Sequence, residues 1–392
     1  MASHDVIILG AGGAGLFCAG IAARRGKRVI VVDHAPEPAR KIVISGGGRC
    51  NFTNVGTSWD RYVSANPKFA RSALGRYTVQ DFIALVDAHG IAWHEKTLGQ
   101  LFCDGSARQI VAMLLAEAEG ADIALGQPVR DVTHADGTFT VVHGDRTLTA
   151  PSLVIATGGP SIPKLGATGF AYDLAKRFGL KLIEPRPALV PLTLPPDDAL
   201  FRELSGVATE VVAGAGAGAG KAKFREAALF THRGLSGPAI LQASSYWRHR
   251  EAVTIDFVPD RAPGWLTDLK RNRPRIGLRS ALGSALPDRL AEALAAKLDC
   301  PGELGNQRDA VLTEVERRLS GWQFHPNGTE GFAKAEVTVG GIATDGLNQK
   351  TMAAKHLPGL HVIGEAVDVT GWLGGYNFQW AWSSGWAAGQ AV

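Results

Sequence analysis

The sequence predicts an α/β protein: a parallel sheet that opens with a βαβ unit, with a second domain inserted before the sheet is resumed. Three observations predict it. A glycine-rich turn lies between an apolar run and a small-residue helix at the start of the chain, a second apolar run at 152–156 ends in Thr157-Gly158-Gly159, and strand-like runs return at 336–342 and 360–364 after a long stretch of different texture. The length of 392 residues fits two or three domains. Apolar residues at 45% against 20% charged exclude a disordered chain. Glycine stands out at 48 residues, and without a Gly-X-Y period this means tight turns or close backbone approaches rather than collagen. The four cysteines, Cys18, Cys50, Cys103 and Cys300, form no CxxC pair and no Cys/His cluster, so neither a disulfide framework nor a metal site is indicated.

Each element follows in order. Val6-Ile7-Ile8-Leu9 is a short continuous apolar run, as expected of a parallel strand covered on both faces. The turn Gly10-Ala11-Gly12-Gly13-Ala14-Gly15 follows, then a helix over 16–25, Gly26 as its terminator, and a second strand over 28–32 ending at Asp33. In such a unit Gly10 permits the tight turn, Gly12 lets the backbone approach a pyrophosphate, and Gly15 allows the helix to pack closely on the strand. The diphosphate rests on the helix N-terminus, where free N–H groups and the helix dipole favour anions, and Asp33 can bind ribose hydroxyls. The spacing predicts helices over 69–90 and 108–119, a β-meander over 122–148 with a turn at Asp136-Gly137, and a helix over 169–179.

From about Pro185 prolines cluster, which places a domain boundary there. The boundaries read from the chain are 1–187 with 333–392 for the discontinuous first domain and 188–332 for the insert, β-rich over 188–260 and 321–332 and helical over 261–320. Leu286, Leu290, Leu294 and Leu298 carry the helical spacing. The Ala-Gly repeat at 213–220 predicts a hairpin tip. It is no phosphate-binding Walker loop, because positions 215 and 222 are alanine, and His94-Glu95 lacks the second histidine of a zinc protease. The end of the chain reads as a glycine-rich turn running into a Trp-rich helix.

Net charge is +4 with a pI near 8.9, which permits a polyanionic partner without requiring one. The densest basic stretch, Lys270, Arg271, Arg273, Arg275 and Arg279, reads first as a solvated face. Residues 6–23 and 369–392 are uncharged, yet their glycines and amides indicate buried, ligand-facing backbone; the expectation is a soluble, cytoplasmic protein with no membrane partner.

Three segments then combine: the Gly10 to Gly15 turn, Arg40-Lys41 leading to Ser45-Gly46-Gly47-Gly48-Arg49-Cys50-Asn51, and Gly364-Glu365-Ala366-Val367-Asp368 leading to Gly374-Gly375-Tyr376-Asn377-Phe378. Together with Phe230-Thr231-His232-Arg233-Gly234 and Thr338-Val339-Gly340-Gly341, they resemble the YhiN/HI0933-like flavoproteins across nearly the whole chain. That resemblance implies a glutathione-reductase-like FAD-binding Rossmann domain interrupted by an insert with a β-barrel-like part and a small helical part. It also implies that Gly10, Gly12 and Gly15 cradle the FAD diphosphate, with Gly13 and Ala14 in the same turn. Asp33 takes the adenosine ribose, Val129 offers backbone to adenine, and Arg40 and Lys41 lie beside the adenine half. Ser45 to Asn51 run along ribityl and flavin. Thr157, Gly158 and Gly159 pack near the diphosphate, while Gly364, Glu365 and Asp368 reach the second phosphate and ribitol. The N-terminal amides of the last helix, at Gly374 to Phe378, face the flavin. At Leu101-Phe102-Cys103 the chain lacks the proline that the family more often has after the phenylalanine, and no role is carried over to that loop.

Cys50 and His232 are the candidate proton donors, each with a plain alternative. Cys50 is either an acid or a small packed hydrophobe, and His232 either a general acid or a hydrogen-bonded structural histidine. Trp372, Trp380, Trp382 and Trp386 either stack on a ligand or pack in the core, and the helical spacing of the last three points to the core. The resemblance implies an FAD-dependent oxidoreductase that reduces an activated C=C bond, in a steroid-like enone or in a uracil of ribosomal RNA, with NADH or NADPH as a transient donor. An oxidase of a small amine or ketone and a flavin-bearing redox-sensing module are the alternatives.

Overall fold

A computed structural model describes residues 3–196, 201, 203–216 and 222–392. It divides into two compact units, residues 1–186 with 336–392 and residues 187–335. In the first unit a five-stranded sheet runs in the order Leu360–Val362, Ser152–Ile155, Val6–Leu9, Val29–Val32, Asp122–Ala124, with every pair parallel. All residues of Val6–Leu9 and Val29–Val32 are buried, which is why these strands read as continuous apolar runs rather than alternations. The register sets Leu9 beside both Val32 and Ile155, so the chain leaves three neighbouring strands at one edge, at Gly10, Asp33 and Ala156. Ligands of open α/β sheets bind at this carboxyl edge.

Several elements differ from expectation. The 122–148 interval is not one meander, because Asp122–Ala124 joins the parallel sheet beside Val29–Val32. The antiparallel meander comprises Val129–Ala135, Thr138–His143 and Arg146–Ala150, and its first turn is at Asp136-Gly137. Three residues are too few to show a strand's period against the flanking alternation. The helix expected over 69–90 is two, Ala70–Arg76 and Val79–Ala88, because Thr78 and Asp81 form a capping box that restarts it. Val337–Ile342 does not join the parallel sheet; it pairs with Leu182–Ala188.

The first helix, Gly13–Arg24, packs against the last, Tyr376–Gly389. A Cβ on Gly385 would stand 2.7 Å from the Ala14 carbonyl oxygen, and one on Gly389 2.7 Å from Ile21 Cβ. Trp382 is sandwiched between Phe82 (4.5 Å between ring centroids, 4° between planes) and Phe378 (5.7 Å, 8°), and its indole N–H donates to the Phe52 carbonyl at 2.8 Å. Trp380 and Trp382 are thus core residues, each almost wholly buried.

In the second unit a seven-stranded antiparallel sheet is centred on the long hairpin Ala208–Ala215 with Ala222–Thr231. Residues 217–221, with the second half of the Ala-Gly repeat at 213–220, lie outside the described residues. Four helices, Trp265–Asn272, Leu278–Leu282, Asp288–Lys297 and Asp309–Leu319, form the helical part, and Leu286, Leu290, Leu294 and Leu298 are buried there. Of its basic stretch, Lys270, Arg271 and Arg279 are ion-paired with Asp309, Asp268 and Glu292. No helix among the described residues is long and apolar enough to cross a membrane.

Candidate functional site

The first glycine turn builds one half of the site. Gly10 has φ +108°, and a Cβ there would fall 2.6 Å from the Ala156 carbonyl oxygen; a Cβ on Gly15 would meet the Gly10 oxygen at 2.0 Å, and one on Gly13 the Trp382 ring at 2.8 Å. At Gly12 a Cβ would meet nothing within 4 Å. Three of the four glycines are therefore required by the protein's own packing, whereas Gly12 faces open space. The helix that starts here has Gly12 as N-cap with no side-chain cap and no acid in its first turn, leaving its first N–H groups for an anion. Asp33 braces the turn: its carboxylate accepts from the Ala11 N–H and the Ala35 N–H, both at 2.8 Å.

A polar cluster lies beside this turn, contributed by four separate segments. Lys41 Nζ donates to Glu365 Oε2 at 2.8 Å and to Ser161 Oγ at 2.6 Å; Ser161 Oγ donates to Glu365 Oε1 at 2.6 Å, which also accepts from the Thr338 N–H at 3.1 Å. Next to it a Cβ on Gly159 would lie 2.7 Å from Thr338 Oγ1 and 2.8 Å from the Tyr172 hydroxyl. These two buried oxygens, together with Thr157 Oγ1, have no hydrogen-bond partner among the described residues. Burial, with the nearby carboxylates of Glu365 and Asp368, pushes the Tyr172 hydroxyl well above its ordinary value, so it stays a neutral donor. Buried hydroxyls left without partners are costly, and three of them at or next to the 157–159 turn mark a place prepared for a polar ligand.

The other expected residues are placed as follows. Gly46, Gly47 and Gly48 all have positive φ, and at Gly47 and Gly48 a Cβ would again meet nothing within 4 Å. Ser45 Oγ donates to the Ile42 carbonyl, Arg40 to the Leu165 carbonyl at 3.0 Å, and Arg49 is exposed. Asn51 lies 3.0 Å from the Gln100 side chain. Val129 starts a meander strand opposite His143. Asp368 is buried and accepts from the Ala65 N–H at 2.8 Å. Gly364 accepts the Trp380 indole N–H at 3.0 Å, and Gly158 has φ +70°. At the last helix, Gly374 and Gly375 both have positive φ, and the helix begins without a side-chain cap. Asn377 does not reach outward, because its side chain accepts from the Gly371 N–H at 2.8 Å and donates to the Gly371 carbonyl at 2.9 Å. Tyr376 is buried, and Phe378 stacks on Trp382.

Cys50 lies fully buried at a left-handed bend (φ +51°), and burial pushes its thiol up to about 12 despite a hydrogen bond with the Ser45 side chain. His232 belongs to the second unit, in the turn between Ala222–Thr231 and Gly234–Ser236. Sequence reasoning missed Ser161 and Tyr172 altogether and used Thr338 only as a motif letter. Ser161, two residues beyond Gly159, carried a positional hint; Tyr172, on an ordinary amphipathic helix, carried none.

The donors fit FAD: an anion-ready helix start at Gly12 for a diphosphate, Asp33 at the next strand's end for a ribose, and the orphaned hydroxyls with Lys41 and Glu365 for the polar chain beyond. Comparison with known proteins agrees. The model of the HI0933-like protein Rossmann domain matches residues 4–391. A ribosomal RNA dihydrouridine synthase of Escherichia coli is 47% identical over 401 aligned positions, covering 100% of this chain and 98% of that protein. A 3-dehydro-bile acid delta(4,6)-reductase of Clostridium scindens is 26% identical, covering 98% of each. Among solved structures, the Mycobacterium smegmatis Sdh1 complex in the apo form superposes with a TM-score of 0.52 at 18% identity, covering 99% of this chain and 67% of that one, a likeness of fold alone.

Proposed function

The chain belongs to the HI0933-like family of FAD-dependent oxidoreductases, and from that premise we propose that it is a reductase that saturates the C5–C6 bond of a uracil in ribosomal RNA, giving dihydrouridine. The observation that carries this reading is the 47% identity to the E. coli dihydrouridine synthase over essentially the full length of both chains. Bound FAD would supply the hydride for one carbon of the double bond, while a proton must reach its neighbour. The protein's part is to hold and to orient. Gly12 and the first amides of Gly13–Arg24 take the diphosphate, Asp33 takes a ribose while bracing the turn, and Lys41, Ser161 and Glu365 fix the polar middle with Tyr172, Thr157 and Thr338 as donors. The amides at the start of Tyr376–Gly389 sit at the positive end of that helix and favour negative charge beside them. Of the two candidate proton donors, Cys50 and His232, the first is disfavoured, since a closed-off thiol held near 12 exchanges protons poorly. The electron donor is NADH or NADPH bound transiently, as the chain has a single βαβ fingerprint, and the protein acts where ribosomal RNA is, in the cytoplasm.

The test is anaerobic. Purified protein should show a flavin band that NADH or NADPH bleaches, and ribosomal RNA lacking the modification should restore the band while nucleoside mass spectrometry finds dihydrouridine. RNA binding should weaken linearly with salt on logarithmic axes. The bile-acid relative favours one second reading: a steroid-like enone would then restore the band where RNA does not. Rapid reoxidation in air with neither acceptor working would make the protein an oxidase, and failure to take up FAD would overturn the reading whole.

A further inference from the structure

Building on the RNA reading, we propose that the turn at residues 96–99 is an apolar wedge, with Leu98 at its tip, that fills the gap left in the RNA stack when the target uridine swings out toward the 45–54 segment. A uracil within a stack has the faces of its C5–C6 bond covered by its neighbours, where a hydride would have to approach, so enzymes acting on bases extrude them, and apolar side chains inserted between base steps are a recurrent means of holding the distorted stack.

Leu98 is 61% exposed, the most of the five large hydrophobic side chains exposed among the described residues. Its backbone is left-handed (φ +60°, ψ 28°), a conformation leucine avoids and one that persists only when the surroundings enforce it. Here they do. The Lys96 N–H donates to the Gln100 carbonyl at 2.8 Å, the Val55 N–H to the Gly99 carbonyl at 2.9 Å, and the buried Asn54 Nδ2 to the Leu98 carbonyl at 3.0 Å. The same Asn54 amide donates to the Gly374 carbonyl at 2.8 Å, so the turn that displays Leu98 is tied to the start of the last helix and to the strand that continues from the Ser45–Gly48 loop. A strained, rigidly held and exposed leucine is a poor way to close a surface and a good way to present a wedge.

The surroundings fit a nucleic acid. Ile44, Val55 and Leu98, three of those five exposed side chains, all flank the 45–54 segment. Lys96 Nζ sits 4.1 Å over the ring of Phe102, whose edge abuts Gly46, and the Arg61 guanidinium lies 4.4 Å over Trp372. Among the described residues neither cation, nor the exposed Arg49, has an ion-pair partner, while the nearby acid Asp104 is engaged with His94 at 2.5 Å; Asp60 and Glu95 are the exposed acids of this face. Apolar and aromatic surface interleaved with unpaired cations is what single-stranded or unstacked RNA recognises, through stacking and phosphate contact.

The test compares two substrates of one sequence, a folded ribosomal RNA fragment in which the target uridine is stacked and a short unstructured oligonucleotide. Leu98→Gly removes the wedge and suits the left-handed backbone, so the fold is kept. It should lower the ratio of dihydrouridine formation on folded over unstructured RNA about tenfold or more, the scale set by unstacking one base. A 2-aminopurine placed next to the target should brighten when the wild-type protein binds and stay dark with Leu98→Gly, whereas Leu98→Met should behave as wild type in both assays. An unchanged ratio together with undiminished brightening in Leu98→Gly would overturn the wedge while leaving the RNA reading intact. Wild-type protein that makes no dihydrouridine in either RNA would defeat the RNA reading itself, and a Leu98→Gly effect confined to the protein's own oligomeric state would reassign the turn to protein contact.

Discussion

The two ends of the first unit each begin a helix with glycines, yet for opposite reasons. At the start of Gly13–Arg24 the glycine that matters for a ligand is Gly12, with ordinary extended backbone (φ −80°, ψ −177°) and empty space where a side chain would go. At the start of Tyr376–Gly389 the glycine is Gly375, at φ +99°, where a Cβ would stand 2.4 Å from the Thr53 carbonyl oxygen and 2.8 Å from Asn51 Oδ1. The first turn is open to something outside the protein; the second is closed on the protein itself. A glycine motif at a helix start therefore does not by itself locate a ligand, and what separates the two cases is what the missing Cβ would touch.

The largest effect should come from Gly15→Ala. Its Cβ would meet the Gly10 carbonyl at 2.0 Å, backbone against backbone at the centre of the sheet edge, and neither side can yield. A loss above about 4 kcal/mol is expected, beyond the about 1 to 3 kcal/mol usual for an overfilled core because the new methyl group meets backbone that cannot move aside, and soluble folded protein should not be recovered. Wild-type melting of Gly15→Ala would mean that the turn is not packed as described. Gly375→Ala should follow at about 3 kcal/mol, the left-handed penalty of about 1 to 2 kcal/mol adding to the Thr53 overlap. It should melt early even without FAD, because the defect is internal.

The closed end has a third probe. Gln379, wholly buried in the last helix, accepts from Thr53 Oγ1 at 2.6 Å and donates to Ser383 Oγ at 3.1 Å and to the Tyr77 carbonyl at 3.3 Å. Gln379→Leu leaves the Thr53 hydroxyl unpaired at a cost of about 1 to 3 kcal/mol, again visible in protein without cofactor. A variant that melts normally yet loses FAD would move this network from the closed category to the open one.

What the sequence made legible follows the same division. Gly10, Gly12, Gly15 and Asp33 were readable because one βαβ unit assembles them locally, and their spacing is itself the structure. The cluster of Lys41, Ser161, Tyr172, Thr338 and Glu365 was only partly readable, since five separate stretches of chain meet there through sheet order, and Tyr172 sits on a helix whose apolar face explains it without any ligand. The strand Val337–Ile342 shows the limit for the fold, because its apolar run was clear while its partner Leu182–Ala188 was set by tertiary packing. In sequence Cys50 already leaned toward a small packed hydrophobe over an acid; burial, a property of the assembled strands, adds weight on the same side.

Thiol chemistry sets a smaller effect, and one in which the two ends should agree. Cys18 in the first helix and Cys50 ahead of the strand under Gly375 are both buried, with thiols pushed from 9.0 to about 12 by burial. The folded values lie above the unfolded one, so the stabilisation is whole below about pH 9 and is lost as pH rises toward 12, when the unfolded chain gains by releasing protons first. Native protein at pH 8 should resist a thiol reagent that titrates all four cysteines after denaturation. Rapid labelling of Cys50 alone would reopen its case as an acid, and Cys50→Ala should then lower turnover by roughly 100-fold.

The smallest effect on the fold is the most decisive for the site. Gly12→Ala places a methyl group where the protein has no atom within 4 Å, on backbone that any residue adopts, so the melting of cofactor-free protein should stay within about 0.5 kcal/mol of wild type. The methyl group would nonetheless stand between the helix's uncapped N–H groups and an approaching diphosphate. Affinity for FAD should fall at least about tenfold, because the anion can no longer reach those donors. The comparison turns on that dissociation: Gly375→Ala harms the fold with or without FAD, and Gly12→Ala harms only the loaded protein. If Gly12→Ala binds FAD as wild type does, the diphosphate does not rest on this helix, and the open space at Gly12 is merely surface.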